Sequence, residues 1–229
     1  MAENTGVQEK GGGGVVPPLP ERMRPAALDL FLGQSHLEKR LRALLTAEHL
    51  PSLLFCGPPG CGKSTIALIL AKGTGRPFRR ISAPEGGLSQ LRRLVSGVSV
   101  LVADELHRFS KAQQDFFLPL VENGSLTLLA TTTENPSFAV TRQLLSRLTV
   151  LRMRPLGQDE LLTLAKRGAE EMKANISGDV LKMLAELSRG DARALLNLVE
   201  YVAGLPCRDD PESVKEMLPD ILRSQEANG

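Results

Sequence analysis

Cysteine is scarce in this chain of 229 residues: Cys56, Cys61 and Cys207 are the three, and their spacing matches no metal-ligand pattern. So odd and sparse a set excludes a disulfide framework and fits a reducing cytosol. No apolar run approaches the roughly 20 residues of a membrane span, so no membrane partner is expected. The N-terminus has no charged-then-apolar plan of a secretory signal, which points to a cytoplasmic protein, beside the nucleoid if the source is bacterial. There is no internal repeat and no tryptophan. Net charge is only +2. That figure hides an asymmetry: residues 1–154 hold 19 Lys+Arg against 12 Asp+Glu (+7), and residues 155–229 hold 9 against 14 (−5). A basic first part suits phosphate-rich partners.

What remains is an ordinary globular composition, 42% hydrophobic and 24% charged, enough for one or two domains with a real core. Residues 1–20 carry Gly11 to Gly14 with Pro17, Pro18 and Pro20, and are expected to form a flexible leader. From Leu50 to about Met153, short apolar strands alternate with helical patterns. The strands are Ser52–Cys56, Arg79–Ser82, Val98–Ala103, Leu126–Thr131 and Val150–Met153. This alternation predicts an α/β fold, a parallel sheet with helices on both faces. Ser110-Lys111-Ala112-Gln113 reads as a capping box opening a helix toward Glu122, which Pro119 should kink or end. After Pro155 helical periodicity takes over, in Glu160–Met172, Asp179–Leu187, Asp191–Val202 and Pro211–Leu222. Residues 21–154 are therefore expected to be an α/β domain and 155–229 a small all-α domain, hinged near Arg154-Pro155.

Gly57-Pro58-Pro59-Gly60-Cys61-Gly62-Lys63-Ser64 fits the G-x-x-x-x-G-K-[ST] phosphate loop at every required position. A buried strand precedes it and a helix, Thr65 to Lys72, follows it, which is the context the motif needs. Glycines let backbone N–H groups converge on an anion, and the helix N-terminus adds partial positive charge. Lys63 is expected to reach the β- and γ-phosphates of ATP, and Ser64 to hold Mg²⁺. Cys61 is a small side chain at a variable position, where nearness to a helix N-terminus favours a lowered thiol pKa. Val98 to Ala103 ends in Asp104-Glu105, 41 residues after Lys63. An apolar strand delivering an acidic pair to its C-terminal edge is where an open α/β sheet carries its chemistry. Asp104 is read as the second metal ligand and Glu105 as the group that polarises the attacking water.

Three further stretches carry a resemblance: Pro20-Glu21-Arg22-Met23-Arg24-Pro25 with Phe31-Leu32-Gly33-Gln34, Asp104-Glu105-Leu106-His107-Arg108-Phe109-Ser110-Lys111-Ala112-Gln113-Gln114-Asp115, and Ala130-Thr131-Thr132-Thr133-Glu134-Asn135-Pro136-Ser137-Phe138. Over about residues 17–205 the chain resembles the AAA+ ATPases, and within them the replication-associated recombination protein A family, which includes the Werner-helicase-interacting ATPase. The resemblance implies an α/β P-loop core followed by a helical lid. It places Arg24, Leu32 and Gly33 beside the adenine and Thr65 with the phosphate loop. It makes Thr132 or Thr133 the first sensor, which helps to position the water. Ser146-Arg147 matches the arginine finger that completes a neighbouring subunit's site, and Gly190-Asp191-Ala192-Arg193 matches the second sensor, with Arg193 reaching from the lid to the γ-phosphate.

The implied function is Mg²⁺-dependent ATP hydrolysis to ADP and phosphate, coupled to DNA remodelling in replication-fork maintenance, recombination and repair. Forked or single-strand-containing DNA and replication or repair proteins are the expected partners. The alternative is a nucleotide-switched binding module with little turnover; a motor acting on protein ranks last, because no aromatic-hydrophobic pore motif is present. Arg76, Arg79, Arg80, Arg92 and Arg93 form a candidate DNA contact. Phe78 among them is read as core, which favours phosphate contact over stacking. Against the family pattern, Ala83 to Gly97 is short, Ala103 replaces a bulkier residue, and the chain stops at Gly229, where the family continues into an assembly domain. Homo-oligomerisation is accordingly expected to be weakened.

Overall fold

The computed structural model describes residues 16–85 and 87–218. Five short strands make one sheet: β1 (Leu53–Cys56), β2 (Phe78–Ile81), β3 (Val100–Ala103), β4 (Thr127–Thr132) and β5 (Thr149–Arg152). Their order is β2-β3-β4-β1-β5, and every pair is parallel. The three central strands are buried at every position. β1 and β3 read as unbroken apolar runs because helices cover both faces, whereas β4 buries threonine at 127, 131 and 132. Each strand starts and ends within two residues of the range expected from sequence.

The helices are α1 (Leu19–Arg22), α2 (Ser35–Leu45), α3 (Lys63–Gly73), α4 (Gly87–Val95), α5 (Lys111–Glu122), α6 (Pro136–Ala139), α7 (Arg142–Leu145), α8 (Gln158–Glu171), α9 (Gly178–Leu187), α10 (Ala192–Ala203) and α11 (Pro211–Met217). Alternation along the strands sends Phe55, Val102 and Leu129 into one core layer with Ile66 and Leu70 of α3. It sends Leu54, Leu101 and Leu128 into the other with Phe117 of α5. The capping box on α5 forms: Gln113 N donates to Ser110 Oγ at 3.2 Å and Ser110 N to Gln113 Oε1 at 2.9 Å. Pro119 does not end the helix, which runs on to Glu122. It lies on the exposed face one turn from the end, where the one carbonyl that loses its donor can turn to water.

Helices α8 to α11 build a third core around Leu161, Leu184, Leu195 and Val199. Leu19 belongs to it and is fully buried. Its backbone N–H donates to both carboxylate oxygens of Glu200 on α10, at 3.0 and 3.1 Å. The expected leader 1–20 thus needs correction at its end: residues up to 15 lie outside the described ones, but Leu19 and Pro20 are already helical, because one buried leucine and a charged acceptor repay the ordering. Leu19→Ala is expected to lower unfolding free energy by about 2–5 kcal/mol, the usual cost of emptying a leucine site, measurable as a lower urea midpoint.

Helical and sheet regions meet at residues 153–156. Gln34, buried with a left-handed backbone (φ 61°), accepts from Arg154 N at 2.9 Å and donates to Arg154 O at 2.6 Å. Among the described residues no helix is long and apolar enough to cross a membrane.

Candidate nucleotide-binding site

The loop between β1 and α3 is pinned from two sides. Gly60 and Gly62 have φ of 64° and 94°, a conformation glycine adopts without cost. A Cβ on Gly62 would lie 2.4 Å from Phe31 Cζ, and one on Gly60 would lie 2.8 Å from Asp191 Cα. Asp191 is the N-cap of α10, accepting from Arg193 N and Ala194 N, and Ala192 N donates to Gly60 O at 3.2 Å. The first turn of α10 therefore rests on the phosphate loop. Lys63 is buried, and its ammonium donates to Gly57 O at 3.0 Å and Pro58 O at 2.6 Å. Cys61 is the small side chain expected at this position, but its thiol pKa is not lowered. Its side chain is fully buried, and burial pushes the thiol up from its ordinary value, outweighing the nearby Lys63.

Asp104 stands at the C-terminal end of β3. Its Oδ1 accepts from Ser64 Oγ at 2.6 Å and from Thr131 Oγ1 at 3.3 Å, and its Oδ2 from Arg80 Nε at 2.5 Å. Ser64 and Asp104 offer adjacent hard oxygens, which suit Mg²⁺. Among the described residues no cluster of three or more His, Cys, Asp and Glu side chains could hold a metal unaided. An ion here would thus complete its shell with phosphate and water, as Mg²⁺ does.

Glu105 adopts a left-handed backbone (φ 56°) with its N–H on Thr131 Oγ1 at 3.1 Å. Its Oε2 lies 3.2 Å from His107 Nε2 and 3.6 Å from Arg108 Nε. His107 Nδ1 in turn lies 3.1 Å from Thr132 Oγ1. A non-glycine residue held in this region is the kind of strain that collects at functional sites.

Above the loop is a cleft of about 590 Å³. Its lining combines apolar Met23, Phe31, Leu32, Leu164 and Leu196 with polar and charged Lys63, Ser64, Arg80, Asp104, Glu105 and Arg193. A mixed lining of this kind suits a ligand with both an apolar and an anionic part. Of the residues expected at the site, Arg24, Leu32, Pro59 to Thr65, Asp104, Glu105, Thr133 and Arg193 line it. Several do not. Gly57 and Pro58 face a second, shallower depression with His36, Asn135 and Arg154. Gly33 lies against Glu160. Thr132 is fully buried and engaged by His107, so of the two candidate sensors only Thr133 faces the cleft. Arg147 is outside it, bonded to Glu122 and to Gln143 O.

Sequence reasoning missed Arg80 and Glu21. Arg24 donates to Glu21 through Nε and Nη2 (3.1 and 2.6 Å) and to Thr65 Oγ1 through Nη1 (3.0 Å). That bond, with Arg80 and Arg193 adding their charge, holds the Glu21 carboxyl below its ordinary value. Arg80 leaves the proposed DNA cluster for Asp104. Arg76 is bonded to Thr127 Oγ1 and Ser99 O, and Arg79 to Leu94 O, yet both remain exposed, as do Arg92 and Arg93 on α4. Phe78 is not core: it is 37% exposed on an edge strand. The signal for Arg80 was its place at the end of β2, but only strand order reveals that this end adjoins Asp104.

Residues 23–154 match the family described as the Holliday junction DNA helicase RuvB P-loop domain. Replication-associated recombination protein A of Haemophilus influenzae is 36% identical over 233 residues, 92% of this chain and 52% of that protein. ATPase WRNIP1 of Dictyostelium discoideum is 34% identical over 221 residues, 89% of this chain and 25% of that protein. The solved structure of the Thermotoga maritima RuvB Holliday junction branch migration motor superposes with a TM-score of 0.74 at 30% identity, covering 85% of this chain and 71% of that one. The chain spans about half the length of the recombination proteins it matches, and a quarter of the WRNIP1 relative.

Proposed function

The chain belongs to the Holliday junction DNA helicase RuvB P-loop family, within the AAA+ ATPases, and on that premise we propose that it binds Mg²⁺·ATP in the cleft and hydrolyses it to remodel DNA during replication-fork maintenance, recombination and repair. One observation carries the reading: Ser64 Oγ and Asp104 Oδ1 lie 2.6 Å apart on the floor of a cleft whose loop also carries Lys63. A phosphate entering that loop competes with the Gly57 and Pro58 carbonyls for the Lys63 ammonium, and wins because it is charged. Mg²⁺ held by Ser64 and Asp104 would supply charge neutralisation between the β- and γ-phosphates.

Glu105 accepts a hydrogen bond from the attacking water, while His107 and Arg108 fix its carboxylate. Thr133 helps to orient that water. Arg193, on the first turn of α10, contacts the γ-phosphate and links α10 to the nucleotide's state. The base packs beside Phe31 and Leu32. Arg147, outside its own cleft, serves a neighbouring copy. Arg92 and Arg93 make sequence-independent contact with DNA phosphates.

The test is steady-state ATP turnover with and without forked DNA, over a range of protein concentrations. Turnover should rise faster than linearly with concentration. Arg147→Ala should lower it by about 10³–10⁵-fold, the measured range for a finger supplied in trans, while nucleotide affinity stays unchanged. Linear turnover that ignores Arg147→Ala would remove the shared site. No turnover in any condition, with ATP still bound, would leave a nucleotide-switched binding module instead.

A further inference from the structure

Parallel pairing brings the C-terminal ends of β2 and β3 to one edge. Ile81 pairs with Ala103, and Asp104 N donates to Ile81 O at 2.8 Å. Arg80, the penultimate residue of β2, thereby reaches the carboxylate that the phosphate-loop serine also claims. Asp104 is buried with both oxygens engaged, Oδ1 by the hydroxyls of Ser64 and Thr131 and Oδ2 by Arg80 Nε. The arginine side chain is 38% exposed and lines the cleft. A hard divalent cation at Ser64 and Asp104 needs a carboxylate lone pair. A guanidinium bonded to the same group would repel such an ion. Phosphate oxygens offer the planar guanidinium another anionic acceptor, which it can engage through two N–H groups.

We propose that Arg80 is a positioning residue that competes with the divalent cation for Asp104 and transfers to the phosphate oxygens of the nucleotide when the cation takes the carboxylate. The proposal rests on the nucleotide reading above and adds to it a cation supplied in cis from β2. No bond is made or broken in the exchange; one charged hydrogen bond replaces another. Two consequences of opposite sign follow. Without Arg80 the cation meets no competitor, so less of it is needed. Without Arg80 the metal-free nucleotide loses one cationic partner, so it binds more weakly.

Binding of a fluorescent N-methylanthraniloyl ATP to the full chain separates these effects from hydrolysis. Affinity is measured in EDTA and then through a Mg²⁺ titration, with Mn²⁺ uptake followed by electron paramagnetic resonance. Arg80→Gln should weaken binding in EDTA by about tenfold, the loss of one hydrogen bond to a charged group, and lower the Mg²⁺ and Mn²⁺ midpoints severalfold. Arg80→Lys, which keeps the charge and loses the planar fork, should lie between and serves as the reference if the glutamine variant no longer unfolds cooperatively. An unchanged EDTA affinity together with unchanged metal midpoints would reduce Arg80 to a structural partner of Asp104. A raised Mg²⁺ requirement would overturn the competition. If the unaltered chain binds no nucleotide, the reading of the site fails and Arg80 falls with it; if it binds and the variants match it, only the role of Arg80 is lost.

Discussion

Lys63→Ala is expected to weaken ATP binding by about 10–150-fold in the presence of Mg²⁺, as measured by titration calorimetry. The figure follows from losing a hydrogen bond between charged groups, about 1.5–3 kcal/mol, at 1.4 kcal/mol per decade. The geometry makes the effect local. Lys63 is buried at the start of α3, and its ammonium already spans the loop between two carbonyls, at Gly57 and Pro58. Alanine keeps the helix and removes that one cation. The neighbouring cations Arg24, Arg80 and Arg193 approach from other elements. Full affinity in the variant would mean that the loop does not grip phosphate at all.

Glu105→Gln is expected to separate binding from chemistry. Glutamine has the same length and still accepts from His107, so ATP affinity should hold to within about a factor of two or three. Its amide is a far weaker base, and the chemical step should slow by about 10²–10⁴-fold, the usual share of a positioned general base. Single-turnover hydrolysis with enzyme in excess reads that step without product release. A variant as fast as the unaltered chain would show that another group activates the water. The left-handed backbone of Glu105 is unaffected, because the strain belongs to the position and not to the charge.

What was legible in the sequence was what depends on local order. The phosphate loop, the five strands and the capping box at Ser110 each follow from residues adjacent in the chain, and the structure carries each within two residues. The acidic pair was legible because a strand's end is marked by its own hydrophobic run. What was hidden depends on which strands lie side by side. Arg80 belongs to the site because β2 pairs with β3, and Phe78 is exposed because β2 is an edge; neither fact is written locally. Leu19 looked like the end of a glycine- and proline-rich leader because its partners, Val199 and Glu200 among them, lie some 180 residues away. Cys61 was read from its helix terminus, which favours a thiolate, whereas closure of the core around it disfavours the charge more strongly.

Leu19 is anchored in the helical core, the chain then crosses the cleft through Pro20, Met23 and Arg24, and Gln34 returns to grip Arg154. The crossing segment is thus moored at one end to the helices and at the other to the junction with the sheet. Any swing of α8 to α11 away from β1 must drag this tether across the mouth of the site.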